Sequence, residues 1–148
     1  MSKSEELEYV DFEVAKEDWT VFKLEDETLL KSRFTVGAIL KKKGTVGEYN
    51  VNQNLFTVAI VPKNLWGPPA TQKYSREDMF RSIEKEDVKF QCVTPDMWNV
   101  YRLSDGFTVS IKLELVMVSR TTLFTERGER IYTFNIQPIF KGKRSAKS

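Results

Sequence analysis

Histidine is absent from all 148 residues, which removes the commonest acid–base catalyst at neutral pH and the commonest metal ligand together. A single cysteine, Cys92, excludes an internal disulfide and a cysteine-built zinc site. No apolar run reaches the ~18–20 residues of a membrane-crossing helix. The opening MSKSEELEYV is acidic and lacks the apolar stretch of a signal peptide. No glycine-rich phosphate loop or nucleophile elbow is present. Gly142-Lys143-Arg144-Ser145 has no strand, glycine loop and helix around it to make a P-loop. The expectation is a cytoplasmic, non-enzymatic protein without cofactor or metal, and no membrane partner.

What is present points to a packed domain. A hydrophobic fraction of 41% with 18 aromatics is enough for a core and too much for a disordered chain. The net charge of +2 is unevenly placed. The last eight residues carry Lys141, Lys143, Arg144 and Lys147 and no acid; setting those four aside leaves 19 basic against 21 acidic residues. Segment 141–148 therefore reads as a basic, disordered tail on a mildly acidic body, and segment 1–8 as a flexible N-terminus. Such a tail solubilises, or touches nucleic acid or an acidic partner.

The chain carries an internal repeat. Val10-Asp11-Phe12-Glu13-Val14 lies on Val88-Lys89-Phe90-Gln91-Cys92, and Asp18-Trp19 to Asp26 lies on Asp96, then Trp98 to Asp105, with Met97 extra. At an offset of 79, Leu30, Ser32, Phe34, Val36 and Ala38 meet Val109, Ile111, Leu113, Leu115 and Met117. Phe56 to Pro62 is matched with Tyr132 to Pro138. The copies span 9–62 and 87–140. Each predicts four strands: 10–14 or 88–92, 19–24 or 98–103, 29–40 or 108–119, and 55–61 or 131–137. Pro62 and Pro138 are expected to end the fourth strand by withholding a ladder donor. Asp105-Gly106 predicts a two-residue type I′ hairpin turn. The Pro-rich linker and short helix over 63–86 start the helix at Ser75 and end it near Lys85. The architecture predicted is mainly β: a duplicated four-stranded antiparallel meander forming an eight-stranded barrel or sandwich with one short linker helix.

The type I′ turn sets a register, and the register sets two faces. Trp98, Val100, Val109, Ile111, Leu113 and Leu115, with Trp19, Val21, Leu30, Phe34, Val36 and Ala38, form the expected core. The opposite face mixes Phe22, Lys31 and Arg33 in one copy with Tyr101 and Lys112 in the other. Aromatics beside cations on a sheet serve base stacking with phosphate contact, and equally serve a protein interface. Phe22, Lys31, Arg33, Tyr101, Lys112 and the loop residue Trp66 are therefore the candidate binding residues. Trp66-Gly67-Pro68-Pro69 is either a recognition loop or a cover over an open sheet end. The paired aspartates Asp18/Asp96 and Asp26/Asp105 flank predicted turns, where Asp caps its own backbone. Cys92 reads as a core thiol, and Lys41-Lys42-Lys43-Gly44 has no basic counterpart beyond Arg120. The functional expectation is binding or assembly with a protein partner or a second copy; the alternatives are a nucleic-acid-binding β-barrel, and a small-molecule-binding protein or histidine-free enzyme in the cleft between repeats.

Overall fold

The computed structural model describes residues 6–144, so the expectations for residues 1–5 and for Lys147 lie outside the described residues. The described chain is mainly β, in two antiparallel five-stranded sheets. In the first sheet β4 (Leu29–Lys42) is the spine. On one side of it runs β5 (Asn50–Ile60); on the other lie β3 (Trp19–Leu24) and then β1 (Leu7–Tyr9). The short β7 (Phe90–Cys92) pairs outside β3. The second sheet repeats this arrangement around β9 (Phe107–Phe124). There β10 (Arg130–Arg144) runs on one side, β8 (Asn99–Leu103) and β6 (Ile83–Lys85) on the other, and β2 (Phe12–Lys16) outside β8.

The outermost strand of each sheet comes from the other half of the chain. β1 lies in the first sheet and its continuation β2 in the second; β6 lies in the second and β7 in the first. The crossings occur at Val10 and Val88, both buried. Val10 N donates to Ile39 O at 2.7 Å, and Val88 N to Val118 O at 2.8 Å. This exchange builds an interior that neither half could close alone. One cluster gathers Val10, Phe34 and Ile39 with Tyr101, Leu103, Val109, Ile111 and Leu113. The other gathers Phe22, Leu24, Leu30 and Val61 with Val88, Leu115, Val118 and Tyr132. Each such side chain withdrawn from water contributes about 1.5–3 kcal/mol, so the two clusters decide the fold.

The hairpin between β8 and β9 is one residue longer than the two-residue turn expected. Gly106 N donates to Leu103 O at 3.1 Å, and Gly106 takes φ +92°. That geometry is a type I turn followed by a left-handed residue, the three-residue hairpin loop. The β3–β4 hairpin does the same: Glu27 N donates to Leu24 O at 3.0 Å, with Glu27 at φ 75°. One extra residue turns every side chain of the incoming strand to the opposite face. The predicted faces are corrected accordingly. Tyr101 pairs with Val109 and Phe22 with Leu30, and both aromatics are buried. Trp19 and Trp98, expected in the core, lie outside it, half-buried beside the cations.

The fourth strands also differ from expectation. β10 runs straight through Pro138, which faces Leu113, and continues to Arg144. Proline is tolerated there because β10 is an edge strand whose other side has no partner strand among the described residues. Lys141, Gly142, Lys143 and Arg144 therefore belong to the sheet, and the tail expected from 141 is corrected to begin no earlier than 145. Likewise Leu7 and Glu8, assigned to a flexible N-terminus, pair with Lys42 and Lys41. The helix α1 (Arg76–Arg81) starts as predicted, with a reciprocal capping box between Ser75 and Asp78. It stops at Arg81 instead of near Lys85, because Ile83–Lys85 is taken into the second sheet against Arg120 and Thr121.

Candidate binding surfaces

Cross-strand registers place the exposed faces of the two sheets in matching rows. On the first sheet the rows across β3, β4 and β5 read Trp19–Arg33–Phe56, Val21–Lys31–Val58 and Lys23–Leu29–Ile60. On the second sheet, across β8, β9 and β10, they read Val100–Ser110–Lys141 and Arg102–Thr108–Lys143, with Lys112–Ile139 beside Trp98. Of the sequence-predicted site residues, Lys31, Arg33 and Lys112 are on these faces. Phe22 and Tyr101 are not; the aromatic each cation meets is a tryptophan. Lys31 Nζ lies 5.2 Å and the Arg33 guanidinium 5.9 Å from the Trp19 ring. Lys112 Nζ lies 5.1 Å and Lys141 Nζ 4.3 Å from the Trp98 ring. The Asp18 and Asp96 carboxylates each accept from the following tryptophan's backbone N–H, at 2.9 and 3.2 Å.

The margins of the two faces differ. β5 contributes Phe56, Val58 and Ile60, all about half exposed, and holds no charged residue and no proline over its length. β10 contributes Ile139, Lys141 and Lys143 and carries Pro138. Both are free edges among the described residues. At one end a cleft of about 490 Å³ lies between them, lined by Tyr49, Asn50, Val51 and Gln53 and by Phe140 and Lys141.

Two carboxylate nodes join the halves. Asp26, in the β3–β4 turn, accepts from Tyr132 Oη at 2.6 Å and from Arg120 Nη1 at 3.1 Å. Its other oxygen accepts from Thr28 N at 3.0 Å. Asp105, in the β8–β9 turn, accepts from Tyr49 Oη at 2.6 Å, Lys41 Nζ at 3.4 Å and Phe107 N at 3.1 Å. Burial raises the pKa of each aspartate, but these donors outweigh it and hold both below the usual carboxylate value. Burial and the facing carboxylate push Tyr49 up to about 12 and Tyr132 further. A third link runs from Tyr101 Oη to Glu17 Oε2 at 2.8 Å; Glu17 also accepts from Val36 N and stands 3.9 Å from Arg33. These carboxylates are saturated by protein donors and serve as ties. Among the described residues no three His, Cys, Asp or Glu side chains gather as metal ligands.

Trp66 covers a sheet end. Its Nε1 donates to Val61 O at 2.8 Å, Lys63 Nζ sits 3.7 Å over its ring, and it packs against the second core cluster. Gly67 N donates to Gly128 O, and Ala70 N to Thr125 O, stitching the loop to the β9–β10 hairpin. Cys92 is half-buried against the same cluster. Sequence reasoning missed Phe56, Val58 and Lys141 as surface residues. The first two had a readable signal, a charge-free β strand; Lys141 was hidden by the assumption that Pro138 ends its strand.

No protein-family model matches this chain, and no curated protein or solved structure does either. No helix among the described residues is long and apolar enough to cross a membrane.

Proposed function

We propose that this chain is a non-enzymatic assembly module that associates with a second copy of itself along β5. The observation that carries the proposal is an eleven-residue edge strand with neither charge nor proline, showing Phe56, Val58 and Ile60 to solvent. An edge strand presents unpaired N–H and C=O groups, and soluble proteins ordinarily guard such edges with lysine, proline or a covering element. Among the described residues β5 has none of these, so the surface complementary to it is another uncharged strand. Antiparallel β5-to-β5 pairing meets that need, puts no like charges opposite one another, and lets the Phe56–Val58–Ile60 margin of each copy cover the other. The recurrence of the same ladders, turns and strand exchange in both halves supports the further reading that the fold itself arose by duplication of a smaller, self-pairing meander.

Sedimentation velocity across a concentration series tests the assembly. The expected result is a dimer that V58K, which puts a lysine at the centre of the edge, converts to monomer. A single monomeric species up to ~1 mM, where an association of about 4 kcal/mol would show, overturns the proposal.

A further inference from the structure

We infer that the exposed face of the second sheet binds single-stranded nucleic acid, with Trp98 as the stacking platform and Lys112, Lys141 and Lys143 as phosphate contacts. This surface lies away from the Phe56–Val58–Ile60 margin and meets β5 only at the cleft that Lys141 lines, and its argument stands without the assembly reading.

Lys112 and Lys141 both place an ammonium within about 5 Å of the Trp98 ring. Two like charges gathered on one ring repel each other, and their presence calls for an anion nearby. At the matching place on the first sheet the cation Arg33 has one, since Glu17 lies 3.9 Å away. No acidic side chain among the described residues lies within 4 Å of Lys112, Lys141 or Lys143. The acids flanking this face include Asp96, which accepts from Trp98 N and is paired with Lys16 at 2.9 Å, Glu114, which flanks Lys112 two residues along the strand, and Glu13, which is paired with Arg102 at 3.0 Å. The counter-charge is therefore missing among the described residues and is assigned to a bound anion.

Geometry narrows the anion to a polymer. Lys141 and Lys143 stand on one face of β10, two residues and hence about 7 Å apart. With Lys112 on the neighbouring strand they form a row of positive points beside an aromatic plane. A chain of alternating phosphates and flat bases is complementary to both features at once; an acidic peptide satisfies only the charges. Because β10 continues through Pro138, this basicity is fixed to the sheet and aligned with Trp98.

The test is fluorescence anisotropy of a labelled 20-mer oligo(dT) with the full chain across a salt series, beside a polyglutamate peptide of the same charge. The intact protein is expected to bind the oligonucleotide, with its Trp98 emission quenched in a W19F/W66F background. K112E/K141E is expected to lower the log–log salt slope by ~1.4, since each phosphate contact on a single strand contributes ~0.7. W98A is expected to weaken binding about tenfold, the loss of one stacked base. K23E/K73E, an equal charge change placed on β3 of the first sheet and in the linker beside the β9–β10 hairpin, is expected to leave affinity within about threefold. Circular dichroism of each variant confirms that it folds; a variant that does not is replaced by the milder K141Q or W98L, read against the same expectations. No binding by the folded intact protein at low salt overturns the inference. So does equal binding of polyglutamate, or an oligonucleotide affinity indifferent to both K112E/K141E and W98A.

Discussion

The two sheets are built on one pattern and finished differently at the margin. The first sheet ends its rows in Phe56, Val58 and Ile60, the second in Ile139, Lys141 and Lys143. Inside, the correspondence is close: Phe22 and Tyr101, Leu24 and Leu103, Leu30 and Val109, Val10 and Val88 are all buried at matched places. A shared interior constrains both halves alike, because each core cluster takes side chains from both. The outer margins carry no such constraint. An uncharged edge invites another strand, whereas a proline and a row of lysines discourage strand pairing and favour an anion. Under the two proposals, this difference gives two otherwise equivalent surfaces separate tasks.

The largest expected effect tests the shared interior. Leu24→Ala and Leu103→Ala each remove a buried leucine from a different cluster, and each should cost about 2–5 kcal/mol in urea unfolding. Since both clusters span both halves, each variant should unfold in one transition with an unchanged m-value. Two separated transitions in either variant would break the comparison, showing halves that fold independently.

That interior was legible in the sequence as a repeat of apolar phase, and the long strands β4 and β9 and the Ser75 cap were legible too. The faces were not, because a single residue decides them. Asp105-Gly106 matches a two-residue turn by composition, yet Gly106 occupies the left-handed position of a three-residue turn. The clue lay in the first copy, where Glu27 stands at the same offset of 79 and offers no type I′ dipeptide. The fourth strands were misaligned for a similar reason. Matching Pro62 to Pro138 ignores the ladder, which sets Phe56 against Arg33 and Ile139 against Lys112. Those registers put Tyr49 and Tyr132 at corresponding positions, each bonded to the aspartate of the opposite half. Contacts that cross between halves leave no local pattern, so neither node was readable beforehand.

The nodes give the intermediate effect. Asp26 receives a guanidinium and a phenol where Asp105 receives an ammonium at longer range and a phenol. Asp26→Asn should therefore cost more than Asp105→Asn, about 2–3 against about 1 kcal/mol, by urea midpoint at pH 7. The pH dependence follows from the directions of shift. Both aspartates have folded pKa values below the unfolded 3.8, so their contribution is complete above that value and fades as pH falls through the folded ones. Tyr49 is shifted the other way: its contribution is complete below pH 10 and is lost as pH rises to about 12. Asn variants should flatten the acid limb below pH 4. An unchanged acid limb in both would show that the nodes do not govern it.

The smallest effect concerns the paired turns. Glu27 and Gly106 hold the same left-handed backbone, φ 75° and 92°, but only glycine does so without a Cβ penalty. Glu27→Gly should thus stabilise the first hairpin, and Gly106→Ala should destabilise the second, where open space around the added Cβ leaves backbone strain as the whole cost. The strain is worth about 1 kcal/mol in each case. Two terms reduce the gain at Glu27. Glycine loses more backbone entropy on folding, and the Lys23–Glu27 ion pair at 2.9 Å is exposed and worth a few tenths of a kcal/mol at most. The entropy term works in alanine's favour at Gly106, so the expected changes are a gain of a few tenths of a kcal/mol for Glu27→Gly and a loss of about 0.5 kcal/mol for Gly106→Ala, both by urea unfolding. Opposite signs at two equivalent positions follow only if both hairpins use the same three-residue turn. A loss at Glu27 instead would mean that its ion pair outweighs its backbone strain, and the two hairpins would then differ in what holds them.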